Sequence, residues 1–119
     1  MTIDEHIIAN DVLREISELL PTPFLKEHLV NQTTKGLAKY GTTVNVDDYD
    51  VFGWIDHNIQ ELIDSTVYYK ATIKKIEKQY GFEGVHARII RILEKEIREN
   101  IKKLESLELF RNHYLEESK

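Results

Sequence analysis

The chain contains no cysteine, which excludes disulfides, thiolate metal sites and cysteine nucleophiles, and leaves an oxidising compartment without support. Proline occurs only at Pro21 and Pro23, where it closes one predicted helix and opens the next. No apolar run approaches the roughly 18 residues of a membrane span, so none is expected. The opening MTIDEHIIAND lacks the basic start and apolar stretch of a signal peptide, so the expected location is the cytoplasm. No serine or threonine sits in a recognisable nucleophile motif, which leaves covalent hydrolase chemistry unsupported. No segment is poor enough in apolar residues to read as a linker, and residues 1–119 are expected to form a single all-α domain.

What is present is charge and helical periodicity. Acids outnumber bases, with a formal net charge of -5 and a pI near 5.5, and this counts against general nucleic-acid binding because the whole surface repels phosphate backbones. A local basic stripe still suits a small anion. Apolar residues form 41% of the chain and charged residues 31%, the balance of helices with one buried and one wet face.

About four helices are predicted. Thr2 and Glu5 have capping-box spacing, and Ile3, Ile7, Leu13, Ile16 and Leu20 recur at helical intervals, so the first helix is expected to run to Leu20. Thr22 and Pro23 read as the N-cap and first position of a second helix carrying Leu25, Leu29, Leu37 and Tyr40, which Gly41 ends. Residues 42–50 hold Asp47, Asp48 and Asp50 without helical period and read as a loop of functional length. The third helix is expected from Val51 to Tyr80, since Ile55, Ile59, Leu62, Thr66, Tyr69, Ile73 and Ile76 alternate steps of three and four. After a turn bracketed by Gly81 and Gly84, a long fourth helix follows. At about 30 residues it spans roughly 45 Å, more than a small domain needs for its own core, and this favours helix pairing between subunits of a homo-oligomer.

Three polar constellations stand out. On the third helix His57, Glu61, Asp64 and Tyr68 are spaced by four, three and four, which stacks them on one face. Glu61 and Asp64 suit a hard cation such as Mg²⁺ holding phosphate oxygens, with His57 placed to move a proton. The stripe lies nearly opposite the apolar one, and it serves equally as an ordinary solvated face. On the fourth helix Arg88, Arg91, Lys95, Arg98 and Lys102 form a basic stripe suited to phosphate; the alternative is a surface helix laced by the i to i+4 pairs Glu94 with Arg98 and Lys95 with Glu99. On the second helix Lys35 and Lys39 lie one turn apart beside Tyr40, where they can receive an anion. Trp54 either stacks on a base or fills the core edge.

The stretch QTTKGLAKYGTTVNVDDYDVFGWIDHNIQELIDSTVYY, Gln32 to Tyr69, resembles small phage-encoded proteins grouped with the MazG-like, all-α nucleoside triphosphate pyrophosphohydrolases. The resemblance rests on Lys39-Tyr40-Gly41, the acidic loop, Trp54, and His57 with Glu61 and Asp64. It implies a helical bundle in which such acids hold magnesium on a nucleotide triphosphate and subunits meet through helices. The family's EExxE motif on the preceding helix is missing, as that helix offers Glu27 and then lysines. The expected function is therefore binding of a phosphorylated nucleotide-like ligand between helices of an oligomer, without turnover. Lys35, Lys39, Arg88, Arg91 and Lys95 would face phosphates, and Tyr40 or Trp54 the base. In a phage setting this would be anti-defence sequestration of a host signalling nucleotide in the host cytoplasm. The alternatives are a Mg²⁺-dependent pyrophosphohydrolase using Glu61 and Asp64, and a helical assembly protein with no small ligand.

Overall fold

A computed structural model describes residues 1–117. Among these the secondary structure is entirely helical: α1 (Ile3–Ala9), α2 (Asp11–Leu19), α3 (Pro23–Tyr40), a 3-10 turn at Val46–Asp48, α4 (Val51–Tyr80) and α5 (Gly84–Glu117). Five helices replace the expected four. The predicted first helix is broken at Asn10, whose backbone is extended at φ -107° and ψ 114°. Asn10 ends α1 and caps α2: its Oδ1 accepts from Leu13 N at 3.2 Å, while its Nδ2 donates to Val44 O at 2.6 Å and Thr43 Oγ1 at 3.2 Å. The amide thus satisfies a helix start and ties down a distant loop, which offsets the helical hydrogen bonds lost at the break.

The chain divides into two compact units, one of residues 1–48 and one beginning at Tyr49. In the first, α1 packs on both α2 and α3, with Ile7 buried. Thr33, also buried, donates its hydroxyl to Leu29 O at 2.8 Å and so needs no partner outside α3. Thr22 caps α3 by accepting from Leu25 N at 3.2 Å, and Pro23 occupies the first turn, where a missing N–H costs nothing.

The second unit is a helical hairpin. α4 begins where Asp50 Oδ1 accepts from Gly53 N at 2.7 Å, and the 34 residues of α5 extend about 51 Å. Tyr80 stacks on His86 with ring centroids 4.3 Å apart. Farther along, Asn100 Nδ2 donates to Thr66 Oγ1 at 3.2 Å and Ser65 Oγ at 3.3 Å, and Arg111 Nε meets Asp56 Oδ1 at 3.0 Å. These contacts step in opposite directions along the two helices, so the pair is antiparallel. Ile73 and Ile90 are its buried apolar side chains. Asn100, 4% exposed, fixes the register between them, since a one-turn slip would strand its amide without a hydroxyl.

Candidate functional site

Asp50 is the last residue before α4, and its cap sets the direction of the first turn. Around that turn three rings gather. Tyr49 meets Trp54 edge-on at a centroid distance of 5.0 Å and His57 at 4.3 Å with a 45° tilt; Trp54 and His57 are 6.3 Å apart. Gly53 makes this approach feasible, because a Cβ there would lie 2.9 Å from Tyr49 Cβ and 3.3 Å from Asp50 Oδ1. Trp54 and His57 are half-buried and Tyr49 is exposed, so the group offers an aromatic surface to solvent. Gly53→Ala is expected to push Tyr49 off the cluster and to shift the emission of Trp54, the chain's one tryptophan, while circular dichroism keeps its helical signal.

On the next turns Glu61 and Asp64 line one groove of about 310 Å³ with Ser65, Tyr68, Tyr69 and Thr72. Both carboxylates are exposed, as their place opposite the apolar stripe required. His57 belongs to the aromatic group and not to this groove. Among the described residues no three His, Asp or Glu side chains come together as a metal cage. Two exposed carboxylates of one helix face do not by themselves fix the octahedral shell of Mg²⁺.

The cations occupy other places. Arg88, Arg91 and Lys95 are exposed on the half of α5 nearest the hairpin turn. The expected pairs Glu94 with Arg98 and Lys95 with Glu99 are not within ion-pair distance; Glu99 instead reaches Lys102 at 3.9 Å. Because α5 starts beside the end of α4, Arg88 lies roughly 35 Å along the hairpin from Trp54 at 1.5 Å per residue. One copy therefore does not present Trp54 and Arg88 to the same nucleotide. On α3, Lys35, Lys39 and Tyr40 are exposed, and Lys39 Nζ sits 5.1 Å from the centre of the Tyr40 ring, a cation–π contact that holds the two side chains together.

Two features escaped the reading by residue type. Tyr49 lies in the loop before α4, yet an aromatic residue followed by glycine at i+4 and tryptophan at i+5 is a usable signal for ring packing on a first helical turn. Arg111 pairs with Asp56 and lies 4.6 Å from the Phe52 ring centre; the residues are 55 apart in sequence, beyond any local periodicity.

No protein-family model, curated protein or solved structure matches the chain. None of the described helices is long and apolar enough to cross a membrane.

Proposed function

We propose that the protein is a helical oligomer that holds a phosphorylated, nucleotide-like ligand between helices and leaves it intact, in the manner of phage-type sequestering proteins. The observation that carries this reading is the group of Tyr49, Trp54 and His57 at the start of α4, a stacking surface of the kind that takes a base. In the second unit, the phosphates are met by the exposed cations Arg88, Arg91 and Lys95 on α5; in the first unit, Lys35 and Lys39 beside Tyr40 offer an anion contact of their own. A ligand that contacts Trp54 and Arg88 together takes them from two copies, which makes assembly part of binding. Turnover by a pyrophosphohydrolase mechanism needs a metal shell to carry charge between phosphates. Among the described residues Glu61 and Asp64 form no metal-holding group with a third acid or histidine, which favours retention of the ligand over its cleavage.

The exposed apolar positions of α4 and α5 also favour a reading in which assembly is the whole function and the charged stripes only join subunits. Titration separates the two. Nucleotides added to the protein should quench Trp54 emission saturably, and Arg88→Ala should weaken the affinity about tenfold, the value of one charge-assisted contact. An assembly protein without a ligand would show no saturable quenching.

A further inference from the structure

The hairpin of α4 and α5 carries a lengthwise charge asymmetry. Its turn half, residues 66–98, has eight Lys and Arg against four Asp and Glu, a net +4. Its open half, residues 49–65 with 99–117, has three against nine, a net -6. The division falls at the level where Asn100 meets Ser65 and Thr66, close to the midpoints of both helices.

One face of the hairpin repeats this pattern at the level of single side chains. On α4, Ile63, Val67, Lys70 and Lys74 are spaced by four, three and four and form one stripe, apolar near the middle and basic toward the turn. On α5, Ile97, Ile101, Leu104 and Glu108 follow the same spacing, apolar near the middle and acidic toward the open end, with Glu105 one turn beyond Ile101. The stripes adjoin, since Ile63, Leu104 and Glu108 line one groove. Ile63 is 49% exposed, Val67 58% and Ile101 44%, and Lys70, Lys74, Glu105 and Glu108 are exposed and take part in no ion pair among the described residues.

From this placement we infer that the Ile63, Val67 and Ile101 face binds a second copy of the same chain, with the two hairpins antiparallel about a two-fold axis at the Asn100 level. The inference rests on the oligomeric reading above and specifies its face and direction. An isologous contact requires a patch that complements itself under the axis. The apolar positions lie near the midpoint and so cover their own copies. Lys70 and Glu105 are about 6 Å and 7.5 Å from the axis on opposite sides, and Lys74 and Glu108 both about 12 Å. The rotation therefore brings Lys70 to the height of Glu105 and Lys74 to that of Glu108 of the other copy, twice over, with opposite charges on the same face. A parallel arrangement would set the +4 half against its own copy and the -6 half likewise, which like-charge repulsion opposes.

The absence of cysteine and the surface location of all four charges make the test direct. Sedimentation equilibrium of the full chain at low salt should show a dimer. The Lys70→Glu/Lys74→Glu variant and the Glu105→Lys/Glu108→Lys variant should each self-associate at least tenfold more weakly. An equimolar mixture of the two should form a heterodimer as tightly as the parent, because both sets of contacts are again of opposite sign. Circular dichroism identifies any variant that has lost helix, and recovery on mixing reports on register even then. If the parent dimerises while the variants do so equally well, or if mixing restores nothing, this face and direction are wrong and the oligomeric reading stands. A parent that is monomeric at 100 µM overturns both.

Discussion

Replacement of Ile73 by alanine should cost the α4–α5 hairpin about 3 kcal/mol of unfolding free energy, read from urea denaturation of the full chain followed by circular dichroism. Ile73 is 0% exposed and is the fully buried large side chain among the described residues. Truncating a buried isoleucine loses the transfer energy of the removed methyl and methylene groups and adds a cavity term, together about 2–5 kcal/mol. Among the described residues Ile90 is the hairpin's other buried apolar side chain, so the loss falls on a small core. Ile63→Ala gives the contrast. At 49% exposure it should change the unfolding of a single hairpin by less than about 1 kcal/mol, and a larger effect that grows with protein concentration would report burial between copies.

A comparable loss is expected at the turn that joins the two long helices. Gly81 has φ 80° and ψ -156°, a region that residues with a Cβ occupy only under strain, at about 1–3 kcal/mol. No heavy atom lies within 4 Å of the Cβ that an alanine would add, so the cost is conformational and not a clash. Gly81→Ala should therefore lower the unfolding midpoint without altering the helical signal of the folded protein. Unchanged stability would mean that the turn has another low-energy path between Tyr80 and Gly84.

Where punctuation is local, the sequence carried the fold well. Thr22, Pro23 and Gly41 bound α3, and the unbroken spacing from Ile55 to Ile76 marks α4; each signal lies within a few residues of the feature it sets. The break at Asn10 is not legible in the periodicity, because Ile7 and Leu13 keep an apolar side across it. The deciding interaction is with Thr43 and Val44, more than thirty residues away. The same distinction holds for the candidate site. Glu61 and Asp64 share a groove because three residues along a helix fix that geometry. The separation of Trp54 from Arg88 follows from the hairpin and is not contained in the spacing on either helix. Asn100 reads as a polar interruption of the α5 apolar stripe until Ser65 and Thr66 are placed beside it.

The proposed binding of a nucleotide rests on chemical class: rings suited to a base, exposed cations suited to phosphates, and two carboxylates where metal-dependent cleavage of a triphosphate needs a fuller shell. The most direct test is a thermal-shift panel of the purified chain against mono-, di-, tri- and cyclic nucleotides, with Mg²⁺ or with a chelator, followed by chromatography of each mixture. Binding without turnover predicts stabilisation by at least one nucleotide that survives chelation, with that nucleotide recovered intact. Stabilisation that requires Mg²⁺ and releases pyrophosphate, or no shift with any nucleotide, would contradict it.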